Sequence, residues 1–161
     1  MAERKGLLGN LPGLCYKYPP TGWGTNTRGF ARLGGTKITL LLFVEYHSAF
    51  RQSASVMIDR EPDLEVVSQA GSVAEAREKM AEGGIDAAIV DIPLPDEGAA
   101  ELVRELHEAN PSIPVLVLTH LNDQGLYERF LEAGANEVLP KTIHLEEIFA
   151  AVRRLGGGGE E

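Results

Sequence analysis

Four side chains suited to phosphoryl chemistry stand at or just after the ends of short apolar runs. Glu45 and Asp91 supply carboxylates. Thr119 supplies a hydroxyl group and Lys141 an ammonium group. A carboxylate can attack a phosphoryl group as a nucleophile, and catalysis of such a transfer is mostly positioning and charge neutralisation. A crevice that held all four side chains would handle phosphoryl groups, which indicates signalling rather than metabolism.

The apolar runs before these residues have the length of buried strands in a parallel sheet. Four runs lie next to the polar residues, at 38–44, 85–90, 113–118 and 136–139, and a fifth lies at 64–70. Because they alternate strictly with helical patterns, we predict a doubly wound α/β domain with a five-stranded parallel sheet in the order 2-1-3-4-5. Helices one and five should cover one face and the other three helices the opposite face. Such sheets bind ligands outside the carboxyl ends of their strands, so the four polar side chains should meet there.

The helical segments carry recognisable end signals. Ser72 and Glu75 have the spacing of a capping box at the start of the second helix, and Asn122 is the predicted N-cap of the fourth. Gly134 is placed to end the fourth helix in the left-handed conformation. Apolar residues at helical spacing predict the inward faces of the first and fourth helices. These are Phe50, Ala54, Met57 and Ile58 in the first helix and Leu126, Tyr127, Phe130 and Leu131 in the fourth.

Charge and composition divide the 161-residue chain into three parts. Residues 1–36 contain eight of the 18 glycines and carry a net charge of +4. Such a segment buries too little apolar surface to offset its ordering entropy, which predicts a disordered N-terminal arm. Residues 37–155 form the predicted domain, and residues 156–161 form a glycine-rich, flexible tail.

The same composition excludes several classes of protein. Residues 37–161 have a net charge of −13, which argues against direct nucleic acid binding because phosphate contacts require lysine and arginine clusters. Cys15 is the single cysteine, so an internal disulfide bond is excluded. No apolar stretch approaches the roughly 20 residues that span a bilayer, and the N-terminus lacks the apolar core of a secretory signal. We therefore expect a cytoplasmic protein with no membrane contact.

Five short stretches also occur in a familiar order and spacing. They are residues 43–51, residues 61–67, residues 90–95, Val117-Leu-Thr119, and the segment from Gly134-Ala135 to Leu139-Pro-Lys141. Together they resemble the response regulator receiver domain of two-component systems, in particular the subgroup that usually carries a C-terminal DNA-binding helix-turn-helix. The resemblance covers about residues 37–155 and implies a flavodoxin-like receiver fold. It also implies a place in a phosphorelay, with a sensor histidine kinase or a phosphotransfer protein as the partner.

The resemblance assigns a role to each polar residue. Asp91 is expected to be the phosphoacceptor, Lys141 the fixed cation, and Thr119 the hydroxyl donor to a phosphoryl oxygen. Glu45 and Asp91, with the backbone carbonyl of Pro93, are the expected ligands of Mg²⁺. Such a domain is not an enzyme in the usual sense, since it at most catalyses its own phosphorylation and dephosphorylation.

One position departs from the family pattern. Receivers normally follow the first strand with two acidic residues, the second of which binds Mg²⁺ directly, whereas this chain has Glu45 and Tyr46. A phenol is neutral near pH 7 and is a poor ligand for a hard cation. We predict that Tyr46 lies buried in the crevice and that Mg²⁺ binding is weak or absent. The family also usually has an aromatic residue three positions before the lysine, where this chain has Val138.

The departures leave alternatives open. The leading hypothesis is a receiver phosphorylated on Asp91, and the second is a degenerate receiver that acts as a phosphorylation-independent interaction module. A flavin-binding or other small-molecule protein of similar topology is disfavoured, because the first strand lacks the glycine-rich or hydroxyl-rich loop that a phosphate-bearing cofactor needs. A homodimer is also possible, through helix one or through the face of helix four, strand five and helix five.

Overall fold

A five-stranded parallel sheet forms the centre of the computed structural model, which describes residues 32–33 and 36–156. Its strands are β1 (Thr39–Val44), β2 (Leu64–Ala70), β3 (Ala87–Ile92), β4 (Val115–Thr119) and β5 (Glu137–Pro140). The helices that alternate with them are α1 (Ser48–Ile58), α2 (Val73–Glu82), α3 (Ala99–Ala109), α4 (Gln124–Glu132) and α5 (Leu145–Gly156). The spatial order is β2-β1-β3-β4-β5, and every neighbouring pair is parallel. The predicted flavodoxin-like architecture and strand order are confirmed.

The two faces of the sheet bury separate apolar clusters. Along β1, Leu41 and Phe43 pack with α1 and α5, while Leu42 and Val44 pack with α2, α3 and α4. This alternation follows from the period of two in a strand, and burial of both faces is what makes the strands read as continuous apolar runs. The predicted division of the helices between the faces is confirmed.

The helix ends follow the predicted signals with one exception. Ser72 Oγ accepts a hydrogen bond from the backbone N–H of Glu75 at 3.1 Å, so the predicted cap of α2 is confirmed. Gly134 follows α4 with φ of +112°, a conformation that favours glycine. The predicted N-cap at Asn122 is wrong, because α4 begins one residue later and the Asp123 carboxylate accepts from Leu126 N at 3.1 Å. A charged acceptor at that position also suits the positive end of the helix dipole.

Three apolar residues assigned to inward helix faces point outward instead. Phe50, Met57 and Leu131 are 53%, 46% and 47% exposed, so their predicted burial is wrong. On α1, the buried face is rotated to include Ser55, whose hydroxyl donates to Arg51 O at 2.7 Å. A satisfied hydroxyl can be buried at little cost, which the apolar pattern alone could not indicate.

The chain on either side of the sheet domain is described only in part. Arg32–Leu33 pairs with Thr36–Lys37 as a short antiparallel ladder at the end of the predicted arm. The rest of that arm, with Cys15, and residues 157–161 of the predicted tail lie outside the described residues. Within residues 32–33 and 36–156, no helix has the length and apolar content needed to cross a membrane.

Candidate functional site

Asp91 lies buried at the carboxyl edge of the sheet. It is the penultimate residue of the central strand β3 and is 1% exposed. Its Oδ1 is in contact with the Lys141 ammonium, and its Oδ2 has no hydrogen bond partner among the described residues. A buried carboxylate that leaves one oxygen without a donor is costly in a folded protein, so this side chain is a candidate for function rather than for stability.

Glu45 and Lys141 meet Asp91 at this edge. The Lys141 ammonium forms an ion pair with Asp91 Oδ1 and lies 3.5 Å from Glu45 Oε2. Glu45 is 2% exposed, and its Oε2 is also without a hydrogen bond partner in the described chain. The predicted meeting of these three side chains is therefore observed, with two carboxylates and one cation in direct contact.

The ends of the strands place these groups. Glu45 follows β1, and its backbone N–H donates to Ala70 O at the end of β2 at 2.9 Å. Lys141 follows β5, and its backbone N–H donates to Thr119 O at the end of β4 at 2.7 Å. The main-chain hydrogen bonds between neighbouring strands thus continue one residue past the end of β1 and of β5. They fix the backbone positions of Glu45 and Lys141.

Thr119 stands beside this cluster without joining it. It is fully buried as the last residue of β4. Its hydroxyl oxygen accepts a hydrogen bond from the backbone N–H of Leu121 at 3.1 Å and makes none with the three charged side chains. Because the hydroxyl acts as an acceptor there, its own proton stays free to donate.

The two carboxylates influence each other's protonation. Burial, followed by the neighbouring Glu45 carboxylate, raises the pKa of Asp91 to about 8, against the opposing effect of Lys141. Burial also acts to raise the pKa of Glu45, but Asp91, the His47 backbone N–H and the Lys141 charge together lower it. The pair therefore retains one proton, carried by Asp91, well above the ordinary carboxyl range.

Comparison with known proteins identifies this arrangement. A family model described as the response regulator receiver domain matches residues 41–153. The chain belongs to this family. It is 34% identical over 119 residues to the DNA-binding transcriptional activator DevR/DosR of Mycobacterium tuberculosis, and 33% identical over 122 residues to the transcriptional regulatory protein UhpA of Escherichia coli. These matches cover 73% and 76% of this chain but only 54% and 60% of the two relatives.

Solved structures show the same receiver fold. A response regulator of the LuxR family from Aurantimonas has a TM-score of 0.71 at 24% identity, with 76% of this chain and 87% of that chain covered. The response regulator domain of Thermotoga maritima CheB has a TM-score of 0.66 at 24% identity, with 77% and 100% covered. Receivers are signalling domains that work with histidine kinases rather than members of a catalytic enzyme family.

The metal side of this receiver differs from the sequence-based expectation. Tyr46 is 51% exposed and its ring meets that of His47 edge-on, with centroids 5.1 Å apart, so the predicted burial of the phenol is wrong. The orphaned oxygens of Glu45 and Asp91 fit a hard cation, which takes carboxylate ligands. In the described part of the chain, however, no three His, Cys, Asp or Glu side chains converge. Pro93 is exposed and follows β3 through a cis Ile92–Pro93 peptide bond.

Two residues at this edge were missed by sequence reasoning. Arg51 Nη1 donates to the main-chain oxygen of Glu45, and a basic residue at the start of a helix was the available signal. Asp96, in the loop after β3, accepts from the backbone N–H groups of Val73 and Ala74 at 2.9 and 3.1 Å. The contacts of Asp96 join residues more than 20 positions apart in sequence, so no local sequence signal indicates them.

Proposed function

We propose that this receiver accepts a phosphoryl group on Asp91 from a sensor histidine kinase or a phosphotransfer protein. The observation that carries the proposal is a carboxylate buried at the end of the central strand, with the Lys141 ammonium paired to its Oδ1 and no hydrogen bond partner at its Oδ2 among the described residues. A nucleophile needs such a free oxygen, and the transferred group needs such a cation.

The transfer follows from the positions of these groups. Asp91 gives up its proton and a carboxylate oxygen attacks the phosphorus atom to form a P–O bond. The P–N bond of the donor phosphohistidine breaks, its electron pair returns to the imidazole nitrogen, and the leaving imidazole can take up the proton. Lys141 neutralises charge on the phosphoryl oxygens, and Thr119 donates its free hydroxyl proton to one of them. Water later cleaves the acyl phosphate, so the domain at most catalyses its own phosphorylation and dephosphorylation.

Mg²⁺ is proposed to bind weakly. When bound, it would neutralise charge on the phosphoryl oxygens, held by the carboxylates of Glu45 and Asp91 and the carbonyl of Pro93. The exposed phenol of Tyr46 supplies no anionic oxygen, and Lys141 already balances one of the two carboxylate charges. Fewer anionic ligands lower the affinity of an oxygen-ligand site for a divalent cation.

The partners are proposed from the surface charge and the relatives. The acidic domain is not expected to bind nucleic acid itself, although DevR/DosR is named as DNA-binding. A homodimer through α1, or through α4, β5 and α5, remains our proposal, together with a cytoplasmic setting and no membrane contact. No observation favours the phosphorylation-independent alternative, because Asp91 and Lys141 are both present and in contact.

Intact-mass measurement after treatment with acetyl phosphate and Mg²⁺ tests the proposal. The parent protein should gain the mass of one phosphoryl group. Asp91→Asn should gain none, whereas Glu97→Gln, an exposed change in the same loop, should behave as the parent. Labelling of Asp91→Asn, or no labelling of the parent at any Mg²⁺ concentration, would contradict the assignment.

A further inference from the structure

We propose that Arg51 is a positioning residue for the acceptor crevice: it holds the main chain of the loop between β1 and α1 so that Glu45 turns into the crevice and Tyr46 turns out of it. The inference rests on the proposed function, in which Glu45 and Asp91 face the incoming phosphoryl group together. It adds a residue that touches neither the phosphoryl group nor the cation.

The main chain of Glu45 is held on both sides. Its backbone N–H donates to Ala70 O at 2.9 Å, which ties it to the end of β2. Its carbonyl oxygen accepts from Arg51 Nη1, which also lies 3.5 Å from the carbonyl oxygen of Tyr46. When both peptide groups flanking a residue are fixed, the direction of its Cα–Cβ bond is fixed as well.

The side-chain directions agree with this constraint. Glu45 Oε1 accepts from the backbone N–H of His47 at 2.7 Å and lies 3.1 Å from His47 Nδ1. Glu45 Oε2 is thereby left to face Lys141 at 3.5 Å. Tyr46, the next residue, leaves the loop on the solvent side and is half-exposed.

The guanidinium of Arg51 packs against the backbone of Gly71. A Cβ atom on Gly71 would lie 2.8 Å from Arg51 Nη1, closer than real contacts allow. The backbone of Gly71 is not in the left-handed region, so its conformation does not itself demand glycine. The absence of a side chain at this position therefore serves the Arg51 contact.

The position of Arg51 is otherwise unfavourable. It lies in the first turn of α1, which has no acidic residue in that turn and no side-chain N-cap. The N-terminus of a helix is its positive end, so a cation there is repelled. Contacts of Nη1 with two carbonyl oxygens of the preceding loop account for an arginine at this position.

The test uses two substitutions in the full chain, each of which removes the contact between the Arg51 guanidinium and the loop after β1. Arg51→Met removes the guanidinium, and Gly71→Ala pushes it aside at little cost in stability because only the end of a flexible side chain must move. Arg60→Met is the matched control, since Arg60 is exposed after the end of α1 and its side chain has no partner among the described residues. Each variant is assayed for labelling by acetyl phosphate across a Mg²⁺ titration.

We expect both Arg51→Met and Gly71→Ala to slow labelling and to raise the half-saturating Mg²⁺ concentration, by roughly tenfold for Arg51→Met. The double variant should be no worse than Arg51→Met alone, because both changes remove one contact. Arg60→Met should match the parent. Labelling rates and Mg²⁺ half-points within about twofold of the parent in both variants would overturn the proposal.

Amide hydrogen exchange without Mg²⁺ or phosphate separates this inference from the proposed function. The His47 amide should exchange roughly tenfold faster in both variants, while amides in the core of β4 stay protected. A parent that is never labelled would refute the proposed function, yet the exchange result would still decide the role of Arg51. An unchanged His47 amide, or a loss of protection throughout the sheet, would overturn it.

Discussion

The two sides of the crevice, here called walls, differ in how many of the residues typical of the family they retain. On one wall, β3 and the residue after β5 bring Asp91 and Lys141 into contact. On the other wall, the loop after β1 offers Glu45 alone, and Tyr46 points to solvent. The proposed nucleophile and fixed cation therefore sit on different elements from the loop that would complete the metal site, so one wall can change while the other is retained.

The charge balance shows why the first wall is constrained. Glu45 and Asp91 are both at most 2% exposed, and Lys141 is the cation in contact with them. Removing one partner from a buried ion pair leaves an uncompensated charge, which costs more than the pair contributes. Position 46 on the second wall carries no such penalty, because its side chain is half-exposed to water.

Lys141→Met removes the cation of the first wall and should have the largest effect on phosphorylation and stability. We expect labelling of Asp91 by acetyl phosphate to slow by about 100-fold, because a charge-stabilising group is lost. The free energy of unfolding should fall by about 3 kcal/mol in urea titrations, since two buried carboxylates lose their cation. Lys79→Met, which removes an exposed ion pair with Glu82, is the control. A labelling rate within twofold of the parent would show that the cation is dispensable.

Tyr46→Asp should restore the second wall. An added carboxylate at the crevice is expected to lower the half-saturating Mg²⁺ concentration by on the order of tenfold, and to speed labelling of Asp91. Like-charge repulsion should destabilise the metal-free variant, so its melting temperature should rise more steeply with Mg²⁺ than that of the parent. Tyr46→Asn, which adds no charge, is the control. Strong Mg²⁺ stabilisation of the parent would mean that Tyr46 does not weaken the site.

A smaller effect should appear in the pH dependence of the metal-free protein. The pKa of Asp91 is about 8 in the folded state, whereas an aspartate in an unfolded chain titrates near about 3.9. Between these values the folded protein holds a proton that the unfolded chain has lost, so stability should fall as the pH rises through this range and level off above about 8. Asp91→Asn should flatten the decline in melting temperature. A parent whose melting temperature rises over that range would contradict the shared proton.

Most of the fold was predictable because parallel strands and their helices leave a plain pattern. Runs of apolar residues buried on both faces gave the five strands to within about two residues of their observed bounds. The same rule placed Glu45, Asp91 and Lys141 at one edge, because the carboxyl ends of parallel strands meet there. Proximity of these side chains was therefore readable from the sequence.

The errors share a different cause. Phe50 and Tyr46 are exposed, and α4 is capped by Asp123, at places where polar groups of the chain make hydrogen bonds that apolar spacing does not report. Ser55 lies on the inner face of α1 with its hydroxyl bonded to Arg51 O, whereas Phe50 is exposed. In our proposal, the direction of Tyr46 depends on contacts of Arg51, in α1, with the loop before the helix. Periodicity reports which face is apolar, but not how far a helix is rotated or which way a loop residue points.

The carboxylate of Asp96 gives α2 a cap that comes from another part of the chain. Ser72 caps the helix from the adjacent residue and can act as soon as the first turn forms. Asp96 reaches the backbone N–H groups of Val73 and Ala74 from the loop after β3, which lies 23 and 22 positions further along the chain. The start of α2 is therefore fastened both to its own preceding residue and to the loop that follows the central strand.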